Sequence, residues 1–496
     1  MVVGRTGSGK TALLEKLSSD HAQHTITIQA EELALDYVAN SGVLRALQDV
    51  GVKLDPFFRL LWRHVIAVAV LRRRFGLSSG EERSKWDRLL DRFRHTSHRK
   101  ALEYIETWGG EQFWQETETR VKEITSKFEK EIESEWAGEV NIKAFGAKTG
   151  RHSTEKLTEE QRSEIVRHGQ RVVNEVHLKE LGKVIDWIRD VLDEAQDYYY
   201  VIIDRLDENW VSEDIRFQLI RALIETAKDF QKAQRCKVIV AAREDLLARV
   251  YQRTTDPGFQ EEKYKSTYLT IKWTKPQLSE LVERRINSLL RRRYTKKPLG
   301  IADVFPSRID GQTAIEFILE RTLLRPRDAI ALVNLSIENS DGSSKISVSA
   351  IRRAENAYSV GRVAALRDEW AGDFPDVQVT WPLLRGIQRV IDVDSLPLER
   401  FEVVALEHAA QTRIPSPISR AAASLMEGRM SPSQFRDEVI AVWHHIGLVG
   451  LKMGAAEHVL WTYRGDRAVR PAELNGGVRM HVHRLAVPAL GVIDSH

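Results

Sequence analysis

Near the start of the chain, Gly4-Arg5-Thr6-Gly7-Ser8-Gly9-Lys10-Thr11 sets glycines, a lysine and a hydroxyl at a spacing suited to binding phosphate. Glycine carries no Cβ, so this stretch can turn tightly and aim successive N–H groups at phosphate oxygens. Lys10 can reach the β- and γ-phosphates of a nucleoside triphosphate, and the Thr11 hydroxyl can ligate Mg²⁺. A second set lies far along the chain. Val201-Ile202-Ile203-Asp204 is an apolar run ended by a carboxylate, and Asp207 and Glu208 follow it. In an open parallel sheet an acid at a strand's carboxyl end can hold the metal, which assigns Asp204 to Mg²⁺. Asp207 or Glu208 could orient an attacking water, and the sequence leaves that choice open. The bland readings are a Gly/Ser-rich turn and a strand ending in a polar loop. Against them, a strand, a glycine loop and a helix occur here in the order that phosphate binding requires.

These residues need elements to position them. Met1-Val2-Val3 is a short strand before the loop. Buried strands usually have about five residues, so we expect strand residues before the given start. A helix runs from Thr11 through Leu13, Leu14 and Leu17, its positive end facing the phosphates. Residues 24–29 alternate as a strand, and 31–46 look helical. Asp55-Pro56 reads as an N-cap and first helical residue, opening a helix over 57–75. Residues 78–136 are charged and helical, and 140–150 form a strand or a loop. Residues 175–195 form an amphipathic helix through Leu178, Leu181, Ile185, Ile188 and Leu192. Strands are expected over 198–203, 237–242 and 267–273, with a helix over 215–230. Alternating strands and helices predict an α/β fold with a parallel sheet. The ~170 residues between the strands ending near Gln29 and starting near Tyr198 are too many for a plain crossover, so a helical insertion spans about 45–195. Beyond Trp273 the chain reads as helical to about Ser340, then as a helix over 348–368. Residues 376–496 read as mixed, with a helix and strands from Ala441 in winged-helix order. The expected domains are 1–275, a helical lid over 276–370, and a winged-helix-like domain over 371–496.

The chain has 496 residues, 42% hydrophobic and 29% charged, which suits a globular protein of several domains. A net charge of +3 gives no overall argument for nucleic acid. Cys236 is the single cysteine, which excludes a disulfide within the chain and fits a reducing compartment. The most apolar run, 65–71, is far shorter than the ~20 residues a membrane span needs. A cytoplasmic protein without membrane contact is expected.

Taken together, Gly4 to Thr11 and Ile202-Ile203-Asp204-Arg205-Leu206-Asp207-Glu208 resemble the Walker A and Walker B motifs of the STAND, KAP and AAA-like P-loop ATPases. The match is closest to a little-studied bacterial branch in which Asp-Arg-Leu-Asp-Glu is followed by Trp, here Trp210. That branch is similar also at Ala242-Arg243-Glu244-Asp245-Leu246, Lys272-Trp273-Thr274 and Arg325-Pro326-Arg327-Asp328. The resemblance covers roughly 1–370 and weakly the remainder. It implies ATP with Mg²⁺, hydrolysis of the γ-phosphate, and a switch in bacterial signalling or defence. It also implies an unidentified protein partner or a homo-oligomer. It places Arg243 at a sensor position and Arg325 or Arg327 on a lid over the γ-phosphate. A surface arginine after a strand, and a proline-started helix with charged first-turn residues, are the plainer readings of these positions. The chain departs from ordinary AAA proteins in carrying Arg205 where the catalytic Glu would stand. A nucleic-acid-remodelling ATPase acting through the C-terminal domain, and an ATP-binding module without hydrolysis, are the rival readings. No Asn-Lys-x-Asp guanine motif occurs, so ATP is the default nucleotide.

Overall fold

The structure, a computed structural model, describes residues 1–33, 35–76, 97–109, 178–208, 210–254, 262–293, 297–340, 342–411, 416–474 and 476–494, with isolated positions between 125 and 173. The expectations over 78–96, 110–124, 131–136 and 140–150 lie outside the described residues. The chain divides into two compact units. One comprises Met1–Arg5 and Lys10–Ile271; the other comprises Thr6–Gly9 and Lys272–His496.

The first unit is mixed α/β. Its strands are β1 (Val2–Gly4), β2 (Thr25–Gln29), β3 (Tyr199–Asp204), β4 (Cys236–Arg243) and β5 (Leu269–Thr270). They form one sheet in the order β2-β3-β4-β1-β5, every pair parallel. β1 therefore neighbours β4 and β5, and β3 lies one strand further on. Gly4 stands opposite Arg243, and Gln29 opposite Asp204. Parallel strands bring their carboxyl ends to one edge, where ligands of open α/β sheets bind. Val201, Ile202 and Ile203 are buried, as a strand covered on both faces requires.

Helices α1 (Lys10–Asp20), α2 (Asp55–Phe75), α3 (Leu178–Ala195), α4 (Glu213–Asp229) and α5 (Glu244–Arg253) accompany the sheet. α2 is apolar around most of its circumference and buries Phe57, Phe58, Leu61, Trp62, Val65 and Val68. Its Trp62 indole donates to the Leu219 carbonyl of α4 at 2.8 Å, so burial leaves that N–H satisfied. The expected cap is displaced by one residue. Leu54 occupies the cap position, while Asp55 sits in the first turn, where a carboxylate complements the positive helix end. The stretch expected as one helix over 31–46 breaks into a 3₁₀ turn (Ala30–Leu33) and helices Leu35–Asn40 and Gly42–Val50. Ser41 caps the last of these by accepting from Leu44 N at 3.1 Å.

The second unit begins with α6 (Lys275–Arg293) and a hairpin of β6 (Arg308–Ile309) and β7 (Gln312–Thr313). Asp310 and Gly311 form its two-residue turn at φ 49° and 79°, the doubly positive torsions that suit a twisted hairpin. Next come α7 (Pro326–Glu338), α8 (Val348–Glu369), β8 (Val390–Asp392), α9 (Leu398–Gln411), α10 (Pro417–Met426), α11 (Pro432–Ile446), β9 (Val449–Lys452) and β10 (Arg479–Val482). The last three strands make an antiparallel sheet in the order β8-β10-β9. Of the strands expected beyond Ala441, the stretch Val459–Tyr463 pairs only through a single bridge of Leu460 to Leu451. Trp461 lies so close over Gly450 that a Cβ there would overlap its ring. The boundary expected near 275 falls beside the change of unit at Lys272. The one expected near 370 lies inside a continuous apolar core running from Leu278 to Val492. Ser359 on α8 ties that core to the chain end, donating to Leu485 O and accepting from Ala489 N at 3.0 Å. No described helix is long and apolar enough to cross a membrane.

Candidate active site

The glycine loop leaves β1 at Gly4 and enters α1 at Lys10. Gly7 (φ 75°) and Gly9 (φ 94°) both occupy the left-handed region, so these turns need glycine on torsional grounds. The side chain of Lys10 folds back over its own loop, donating to Gly4 O at 2.8 Å and Arg5 O at 3.1 Å. Its pKa is lowered, first by burial; Asp207 and Asp204 act in the opposite direction.

Two residues 193 positions apart meet directly: the Thr11 hydroxyl donates to Asp204 Oδ2 at 2.9 Å. The other Asp204 oxygen accepts from Arg205 N at 2.8 Å, which fixes the carboxylate at the strand end. Asp204 is only partly buried, at the carboxyl end of its strand. A hydroxyl and a carboxylate oxygen side by side are the hard oxygen donors that Mg²⁺ prefers, and the residues fit that ion.

The turn after β3 is held at several points. Arg205 has φ 59°, unusual for a residue with a side chain, and its guanidinium is exposed. Arg216 Nη1 donates to Glu208 O at 2.9 Å, and the Trp210 indole to Leu206 O at 3.3 Å. Asp207 is exposed and its Oδ2 lies 3.4 Å from Arg243 Nη1. Arg243 is itself clamped by Asp245, with contacts of 3.0 and 2.7 Å. Arg243 thus stands at the end of β4, next to β3, among acids that fix its guanidinium plane. Glu208 is half-exposed, and its pKa is raised by partial burial and then by a hydrogen bond and like charge from Glu31. Sequence reasoning missed Glu31 and gave no task to Asp245. Glu31 follows β2, and only the pairing of β2 with β3 reveals it as a neighbour of Glu208.

The remaining arginines belong to the second unit. Arg325 is 2% exposed and makes two contacts with Glu369, at 2.8 and 3.0 Å. Arg362 joins this buried group, reaching Glu369 at 2.9 Å and Asp328 at 3.3 Å. Arg327, two residues on from Arg325, is exposed and has no side-chain hydrogen bond or ion pair among the described residues. The loop tip Thr6–Gly9 clusters with this unit. Within it, Arg327 N lies 3.5 Å from Gly7 O, and a Cβ on Gly7 would come to 3.0 Å from Arg327 Cβ. A side chain at Gly7 would therefore be strained in torsion and crowded by Arg327. The Trp273 indole donates to Ser8 O at 2.8 Å. Ser8 is 4% exposed, and its hydroxyl and that of Thr6 have no hydrogen-bond partner among the described residues.

Residues 276–367, the helical part from α6 to α8, match the model of a FunZ-associated C-terminal helical domain. No curated protein matches the chain.

Proposed function

We propose that the chain is an ATP-binding and ATP-hydrolysing P-loop protein of the STAND, KAP and AAA-like class, working as a nucleotide-controlled switch. The observation that carries this reading is the 2.9 Å contact between Thr11 and Asp204. Lys10 would leave its two loop carbonyls for the β- and γ-phosphates, exchanging neutral acceptors for charged ones. Thr11 and Asp204 would hold Mg²⁺, which supplies charge neutralisation on the phosphates when bound. Glu208 would accept a proton from water as the water oxygen attacks the γ-phosphorus and the bond to the bridging oxygen breaks, giving ADP and phosphate. A raised carboxyl pKa suits this work, because proton acceptance is most effective near working pH. Asp207 would hold Arg243 at the edge of the site. Arg327 would read the terminal phosphate, while Arg325, committed to Glu369, would fix the start of α7.

The segment from 377 to 482 supports a winged-helix-like contact domain. A 3₁₀ stretch, β8, three helices, β9 and β10 follow in that order, with the sheet arranged β8-β10-β9. α11, the helix before β9, carries Asp437 and Glu438, and Arg436 is paired with Asp437. That charge pattern favours a protein partner over a phosphate backbone. A role in bacterial signalling or defence rests on the sequence resemblance.

The test is equilibrium binding of a fluorescent ATP analogue with and without Mg²⁺. The parent should gain affinity on adding Mg²⁺, and Asp204→Asn and Thr11→Val should lose that gain. Equal Mg²⁺ dependence in all three proteins would refute the metal site.

A further inference from the structure

A pocket of about 240 Å³ opens in the second unit between the start of α6, the β6–β7 hairpin and β10, and none of its lining residues belongs to the glycine loop. Four cations line it: Lys275, Arg389, Arg464 and Arg484. Two acids answer them. Glu320 lies 3.6 Å from both Lys275 Nζ and Arg484 Nε, too long for a hydrogen bond. Asp494 pairs with Arg389 Nε at 2.5 Å and stands 3.7 Å from Arg484 Nη1. Arg464 has no acid partner among the described residues and sits 5.5 Å from the Tyr463 ring. Two positive charges are left unmatched in a concave, largely polar site. Two of the guanidinium groups and the ammonium are held loosely enough to turn toward a ligand.

We propose that this pocket binds a phosphoryl group carried by a nucleotide-sized molecule. Forked guanidinium donors match phosphate oxygens two at a time, and a phosphate dianion balances the unmatched charge. Tyr463 offers a ring against which a planar group can pack beside Arg464. The volume admits a phosphoryl group and the adjoining part of a mononucleotide. The same chemistry could arrive as a free nucleotide or as the 5′-phosphorylated end of a single strand.

The test titrates AMP, inorganic phosphate, and a short oligonucleotide with and without a 5′-phosphate against the full chain carrying Lys10→Ala. That background weakens the glycine loop, so the result does not depend on the nucleotide reading above. We expect one saturable site for AMP or for the 5′-phosphorylated strand. Adding Arg464→Glu should weaken it by roughly tenfold to a hundredfold, the cost of losing a charge-assisted contact. Arg464 is exposed, so the variant should keep its melting temperature, and Arg389→Gln, which removes a cation without introducing an acid, provides a second check. AMP binding identifies a small-molecule site, and binding only to the phosphorylated strand identifies a strand end. Absence of saturable binding, equal binding by the unphosphorylated strand, or binding indifferent to both substitutions would overturn the proposal.

Discussion

Replacing Arg325 with alanine separates the structural arginine of α7 from the one assigned to nucleotide. The Arg325 guanidinium is 2% exposed and gives two contacts to Glu369, which is itself 7% exposed on its side chain. Removing one member of a buried pair typically costs about 3–5 kcal/mol, because the other charge remains without water or partner. Glu369 keeps Arg362 at 2.9 Å, which places the expected loss at the lower end, about 3 kcal/mol. For a unit of this size such a loss lowers the melting temperature by roughly 6–12 °C. Calorimetry of the full chain should show the drop in the transition assigned to the second unit. Pairing Arg325→Met with Glu369→Leu should recover most of it, since Arg362 and Asp328 still balance each other and a packed apolar pair can replace a buried ion pair. A single substitution that melted within about 2 °C of the parent would refute the buried-pair account.

Three further outcomes follow. Arg327→Ala should change stability by only about 0–1 kcal/mol, as for an exposed charge, yet narrow the difference between ATP and ADP affinity; an unchanged ratio would remove its sensor role. Glu208 must be ionised to accept a proton, so turnover should fall as pH drops through its raised pKa. Glu31→Gln removes the like charge, lowers that pKa and should move the acid limb of the pH–rate profile to lower pH, whereas an unmoved limb would assign the base elsewhere. Cys236 is buried and its thiol is pushed up to about 12, so thiol reagents at pH 8 should label the chain only after denaturation; rapid native labelling would contradict the position of β4.

The sheet was legible because its strands are apolar runs ending in chemistry. Residues 198–203 and 237–242 were expected as strands and correspond to Tyr199–Asp204 and Cys236–Arg243. The order of strands was not legible, since pairing between distant segments leaves no local mark. That hid Glu31 from view until β2 was seen beside β3. The β6–β7 hairpin carried its own signal in Asp310-Gly311, but strands of two residues offer no alternation to notice. Pro326 did mark a helix start, with Arg325 as the residue before it. The partner of Arg325 is 44 residues away, at the end of α8, where no sequence rule points. The proximity of Thr11 and Asp204 was the one long-range relation implied by residue types alone, because both suit one metal ion.

Hydrolysis at the glycine loop is tested by phosphate release from Mg²⁺·ATP by the full chain, parent against Lys10→Ala. The parent should release phosphate and Lys10→Ala should not, with both proteins melting alike. Equal release by the two proteins would contradict it.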